Sequence, residues 1–290
     1  MKRLLICTDG SAAATTSYYC GLWAAKKLQA IIDIIFVTDV RGQTVATRQN
    51  FSGSLELEST QTLLEQIAEV ESDRAQVNYQ IAKKVLDEAS LFFEQADYSP
   101  VNLIHETGQL VECVQEYEHE VELVILGRQG QSEDFPADHV GANVERLLHG
   151  SHHPCLVTAG TFNDIQKLLL AYDGSPSCQK MLQYLLSSPL FQGLELHLLS
   201  VAKSEELQQG YLSLEEAQKQ AETAGFHPIC QQESGTHPEQ IIATYEKEND
   251  IDLLLMGAYG HSRVHRMMLG SATHNILKKS QSQTPVMLFR

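Results

Sequence analysis

Two stretches of the chain carry the residue types best suited to chemistry. One is Asp173-Gly174-Ser175. The other is Gly257-Ala258-Tyr259-Gly260, followed after nine residues by Gly270-Ser271-Ala272-Thr273. Glycines let the backbone approach a phosphate closely and turn with left-handed geometry. Gly270-Ser271 runs straight into a helical pattern, THNILKK. Backbone N–H groups and the positive end of a helix would therefore face an anion there, and the hydroxyls of Ser271 and Thr273 add donors. The intervening His261-Ser262-Arg263-Val264-His265-Arg266 holds two arginines, two histidines and no acid. The chemistry implied is electrostatic capture of an anionic ligand, with Arg263 as a phosphate contact. Taken singly, each residue also has a structural reading. Asp173 caps the following helix, as Asp9 does in its own copy; Gly257 is a strand-to-loop hinge; Ser271 is an N-cap; Arg263 and Arg266 are solvated loop residues.

The sequence assigns no catalytic residue. It has no GxxxxGK[ST] loop, no GxSxG elbow and no CxxC pair, so phosphate-loop hydrolysis, acyl transfer and dithiol redox chemistry have no anchor. Slow hydrolysis of a bound phosphoanhydride, with water placed by His265 or Asp173, is the residual enzymatic reading. His149, His152, His153 and Cys155 lie close together, but the matching segment of the second half, 279–284, offers no ligand. We therefore expect no metal site. Tyr18, Tyr19 and Trp23 read as residues packed against a sheet.

The elements that must position these residues occur twice. Residues 4–11 read LLICTDGS and 168–175 read LLLAYDGS; 121–130 read VELVILGRQG and 251–260 read IDLLLMGAYG. Each copy then closes on a short apolar stretch after a proline, Pro154 or Pro285. The expected division is 1–160 and 161–290, with the boundary near 160–163. Asp9 and Asp173 are 164 residues apart but Gly127 and Gly257 only 130, so the first copy holds 34 extra residues. We place most of them near 41–75, as an extended crossover before a helix or, alternatively, a long loop. In the second copy, 167–172, 194–201, 226–231, 252–257 and 286–289 read as strands; 181–186, 214–224, 239–248 and 272–279 read as helices. Apolar strands alternating with helices predict an α/β fold: two tandem doubly wound units, each a mostly parallel five-stranded sheet flanked by helices. Ligands of such units sit at the carboxyl ends of the strands, where strand order reverses.

With a strand-end Asp-Gly-Ser and G-2x-G-9x-G-[ST] after the fourth strand, the chain resembles the universal stress protein family in its tandem two-domain form. The resemblance covers both halves apart from 41–75. In ATP-binding members the first-strand Asp and its neighbours hold the adenosine end, the end of the second strand packs on adenine, and the glycine motif holds ribose and phosphates. Carried over, this implies Ala171, Asp173, Val201, Met256, Gly257, Gly260, Gly270, Ser271, Ala272 and Thr273 as the binding set, and ATP as the ligand, with or without Mg2+. It also implies a stress-response sensor or regulator whose terminal strands, 154–158 and 285–289, pair as an internal pseudo-dimer, with homodimers or other homo-oligomers of the chain. The alternative is a nucleotide-independent dimerisation scaffold with a small-metabolite pocket in its N-terminal domain.

The first copy departs from the motif. Ten residues follow Gly127-Arg128-Gln129-Gly130, then Gly141-Ala142-Asn143, so Ala142 replaces the hydroxyl residue. Glu133, Asp134 and Asp138 occupy the loop and Pro136 stiffens it. Carboxylates there repel a triphosphate, and this copy is expected to bind ATP poorly or not at all. The charges follow the same division. The net charge of −16 divides as −12 over residues 1–160 (11 Lys+Arg, 23 Asp+Glu) and −4 over 161–290 (10 and 14). Such acidity argues against nucleic acid and anionic membrane surfaces as partners. The most apolar stretch, 22–37, is broken by Lys26, Lys27 and Asp33, so no run of about 18 apolar residues exists for membrane insertion. The N-terminal MKRLLICTDG is too short in apolar residues for an export signal. Six scattered cysteines then read as reduced, buried thiols of a cytoplasmic protein.

Overall fold

The computed structural model of the chain describes residues 2–39, 57–128, 142–203, 207–259, 270–278 and 284–290. Short runs rich in Leu, Ile and Val become strands because both faces of the sheet they form are covered. In the first half these are β1 (Arg3–Thr8), β2 (Ile31–Thr38), β3 (Val101–Thr107), β4 (Leu123–Gly127) and β5 (Cys155–Thr158). Between them lie α1 (Ala12–Leu28), α2 (Leu57–Gln95), α3 (Leu110–Tyr117) and α4 (Ala142–Gly150). The second half repeats the order: β6 (Lys167–Ala171), α5 (Pro176–Ser187), β7 (Glu195–Ala202), α6 (Leu207–Thr223), β8 (Ile229–Ser234), α7 (Pro238–Glu248), β9 (Leu253–Gly257), α8 (Ser271–Lys278) and β10 (Val286–Phe289).

The strands run β3-β2-β1-β4-β5-β10-β9-β6-β7-β8 in one sheet. Each half is parallel within itself, and the halves meet where β10 pairs antiparallel with β5, Met287 opposite Leu156 and Val286 opposite Val157. The terminal strands thus join the expected two sheets into one, and neither leaves an open edge at the centre. Alternating residues sort onto two faces. Leu4, Ile6, Leu168, Leu170 and Met287 pack with α1, α2, α5 and α6. Leu5, Cys7, Leu169, Leu254 and Leu288 pack with α3, α4, α7 and α8. Helices on both faces make each half doubly wound, and both apolar clusters run through the two halves without a break. All six thiols are free, five of them buried, and burial pushes those of Cys20, Cys155 and Cys178 up to about 12.

Three expectations need correction. The 41–75 segment is helical, not extended, from Leu57 onward; 41–56 lie outside the described residues. Val85 lies against Gly10 as Ser213 lies against Gly174. Counted back from there, α6 starts 6 residues earlier and α2 starts 28 earlier. Much of the insertion is therefore an overlong helix. Its Val70, Val77 and Ile81 are 51%, 57% and 48% exposed. Strand β8 begins at Ile229 rather than 226, because Phe226 closes the end of α6 (its N–H donates to the Ala221 carbonyl at 3.0 Å, with Gly225 at φ 89°). Tyr18 and Trp23 are buried as expected, but Tyr19 is 45% exposed and lies over Phe92 and Phe162 instead of the sheet.

No helix among the described residues is long and apolar enough to cross a membrane.

Candidate functional site at the ends of β6 and β9

Strand order reverses between β6 and β9, which lie side by side with Ala171 opposite Met256. At the end of β6 the chain turns sharply. Gly174 has φ 73°, and the Asp173 carboxylate accepts the Ser175 N–H at 2.9 Å. Ser175, not Asp173, caps α5: its hydroxyl accepts the Cys178 N–H at 3.4 Å, with Pro176 in the first turn. Asp173 therefore closes the turn and keeps its place at the strand end. Val201 is half-buried near the end of β7, on the strand flanking β6.

At the end of β9, Gly257 is fixed by contact. A Cβ there would stand 2.4 Å from the Ser177 hydroxyl oxygen and 2.8 Å from the Cys178 nitrogen. Only glycine lets the start of α5 lie against β9, so Gly257 is a packing residue as well as a candidate ligand contact. Beyond it, the Ser177 hydroxyl donates to the Tyr259 carbonyl. The chain re-enters at Gly270, whose N–H donates to the Ala258 carbonyl at 3.0 Å. Helix α8 then starts at Ser271. The buried Thr273 hydroxyl donates to the Gly257 carbonyl at 3.2 Å, which fastens the helix start over the strand end. Ser271 is exposed and Ala272 half-buried. The structure thus brings together Ala171, Asp173, Val201, Met256, Gly257, Gly270, Ser271, Ala272 and Thr273. Gly260 and Arg263, with His261, His265 and Arg266, lie outside the described residues.

The electrostatics distinguish this helix start from its counterpart. The first turn of α8 has no acid, and Lys278 lies in its last turn. The first turn of α4 carries Glu145, so a negative side chain already occupies the positive end of that helix. Gly130, Glu133, Asp134, Pro136, Asp138 and Gly141 lie outside the described residues. The first unit retains its own strand-end turn: Asp9 accepts the Ser11 N–H at 2.9 Å, and Ser11 caps α1.

The histidine-rich turn before β5 has a structural account. The buried Glu118 carboxylate accepts from the Ser151 hydroxyl and from the N–H groups of His152 (2.5 Å) and His153 (3.4 Å). His149 faces elsewhere, toward Tyr259 at 2.8 Å. No cluster of metal-ligating side chains forms among the described residues. Sequence reasoning missed the side chains that hold the site from outside, Ser177, Tyr259, His149 and Glu145. Tyr259 stood inside the glycine motif, but no spacing rule links it to residue 149.

Comparison with known proteins follows the same division. The model of the universal stress protein family matches residues 164–290, the half with the acid-free helix start. A universal stress protein from Synechocystis sp. is 41% identical over 290 residues, all of both chains. The crystal structure of a universal stress protein from Archaeoglobus fulgidus superposes with a TM-score of 0.64 at 20% identity, covering 99% of this chain and 96% of that one. A protein of unknown function from Pseudomonas aeruginosa gives 0.62 at 13% identity, covering 100% and 92%. The two crystal structures speak to the fold alone; the full-length relative speaks to kinship, and the chain belongs to the universal stress protein family.

Proposed function

We propose that the second unit, residues 161–290, binds ATP or a related nucleotide, and that the chain acts as a nucleotide-responsive stress protein of the cytoplasm rather than as a dedicated catalyst. One observation carries this reading. The ends of β6 and β9 and the start of α8, whose own first turn carries no acid, converge at the point where strand order reverses. Asp173 and Ala171 lie at the adenosine end, with Val201 flanking the base. Met256, Gly257, Gly260, Gly270, Ser271, Ala272 and Thr273 line the ribose and phosphates, with Arg263 as a cation for the phosphate tail and Mg2+ as an optional companion. The first unit, residues 1–160, is proposed as the poor binder, since Glu145 adds a negative charge to the first turn of α4, the helix end that would otherwise favour a phosphate.

Calorimetric titration of ATP into wild type, Gly270→Val and Ser271→Asp tests the site. Aspartate at the helix start sets like charge against phosphate and is expected to weaken binding about tenfold or more. Equal affinity in all three proteins sinks the assignment. ADP and AMP arms identify which phosphates matter.

A second reading, a nucleotide-independent scaffold, is favoured by the β5–β10 pairing, which builds a dimer-like unit within one chain. Native mass spectrometry separates the two: co-purified nucleotide supports the sensor, and a ligand-free spectrum with no thermal shift at millimolar ATP supports the scaffold. Association of whole chains is proposed with either reading. Val70, Val77 and Ile81, seven and four residues apart, share one exposed face of α2. Light scattering of wild type and Val77→Glu measures it.

A further inference from the structure

The glycine motif of the second unit is fastened at both ends to a helix of the first. On the near side, the Tyr259 hydroxyl lies 2.8 Å from His149 Nδ1 and 3.4 Å from the Leu148 carbonyl oxygen. The guanidinium of Arg290 lies over the Tyr259 ring, 5.9 Å from its centroid, and donates to the His149 carbonyl. On the far side, His274 Nδ1 lies 3.0 Å from the Glu145 carboxylate. His274 is in the first turn of α8, and its N–H donates to the Gly270 carbonyl at 2.8 Å. Glu145 and His149 are four residues apart on α4 and share one helix face.

The two tethers differ in kind from ordinary interface contacts. Tyr259 lies within the motif, two residues after Gly257, and His274 is bonded to Gly270, so one contact holds the strand-side arm of the motif and the other its helix-side arm. Its take-off and return points are then set by a rigid element of the other unit. We propose that α4 of the first unit is the positioning element for the phosphate-binding motif of the second, with Glu145 and His149 as positioning residues and Tyr259 and His274 as their receivers. The first unit thereby serves the nucleotide site without holding a nucleotide itself. Binding at the motif and the stance of α4 are coupled, and coupling of this kind is reciprocal.

The inference rests on the nucleotide reading for its ligand but not for its tethers, and the experiment separates the two. Tyr259→Phe and Glu145→Met each remove one tether with little change of shape. Amide hydrogen exchange across 258–274 is measured without ligand, and ATP and adenosine are titrated into each protein. Loss of one hydrogen bond is expected to speed exchange at Gly270 and His274 and to weaken ATP about three- to tenfold. Adenosine, which lacks the phosphates the motif would hold, is expected to bind within about twofold of wild type. Unchanged exchange in both variants overturns the inference. So does an equal loss of ATP and adenosine, the signature of general loosening. Faster exchange in a protein whose wild type binds no nucleotide overturns the nucleotide reading and leaves the positioning role standing.

Discussion

The two units place different chemistry at equivalent positions, and the register of the sheet makes the equivalence explicit. Asp33 lies opposite Leu5 on β2, and His197 lies opposite Leu169 on β7. Both are almost fully buried. Asp33 is held by the Arg3 guanidinium at 2.7 and 2.8 Å and by the Asn102 amide at 2.7 Å. His197 is held by the Tyr245 hydroxyl at 2.8 Å and by Glu195 at 2.9 Å, and this bond to His197 keeps the Glu195 carboxyl below its usual range. The fold accepts either polar group at this site, provided neighbours from adjacent elements satisfy it. A second pair of equivalent positions faces each other directly. Glu145 and His274 are the fourth residues of α4 and α8 and meet across the approximate two-fold relation of the halves. A symmetric dimer sets identical residues across its axis, which here would be two acids or two imidazoles. One chain carrying both copies makes the pair complementary.

The Asp33–His197 comparison yields the largest expected effect. Arg3→Ala strips a buried carboxylate of its charged partner and is expected to cost about 3 kcal/mol, at the low end for a broken buried pair because Arg3 itself is part exposed. Gly257→Ala follows at about 2 kcal/mol, since its methyl group collides with Ser177 and the Cys178 backbone. Tyr245→Phe, which removes one of two partners of His197, is expected to cost about 1 kcal/mol. Urea unfolding of the three variants gives the order. If Tyr245→Phe costs as much as Arg3→Ala, the two buried groups are not satisfied independently and the comparison fails.

Much of this was legible in the sequence because duplication prints the same landmarks twice. The Asp-Gly-Ser turns, the strand-end glycines and the proline-led last strands located both sheets. A reversal of strand order, with Ala171, Asp173, Met256 and Gly257 at the strand ends beside it, followed from the fold class. What stayed hidden depends on contacts between distant segments. Gly257 read as a hinge or a ligand residue, whereas its methyl-sized clearance to Ser177 arises from how α5 lands on β9. Asp173 read as a helix cap, but Ser175 two residues later takes that role. Strand β8 was displaced because its CQQES run, on the sheet edge, lacks apolar alternation. The long exposed part of α2 carries charged and apolar residues in a helical rhythm, yet polar composition alone suggested extended chain.

A pH profile of stability tests whether the units also exchange charge. Arg128 follows the strand-end glycine of the first unit where Ala258 follows that of the second, and both are buried. Burial lowers the Arg128 pKa, and the nearby Glu246 of α7 opposes that. Burial likewise pushes the Glu246 carboxyl up to about 7, opposed by Thr284 and by the Arg128 charge. A carboxyl with its folded pKa raised binds its proton more tightly when folded than when unfolded. Its contribution to stability is therefore full at pH below the unfolded value, about 4.5. It is lost as pH rises toward about 7 and is flat above. Glu246→Gln is expected to remove that decline, so its urea midpoint gains on wild type between pH 5 and pH 8. Arg128→Ala is expected to do the reverse, since loss of the cation raises the Glu246 pKa further and extends the decline to higher pH. Parallel pH profiles for wild type and Glu246→Gln would mean that the carboxyl stays solvated. The arginine of the first unit would then do no electrostatic work across the junction that its alanine counterpart does not.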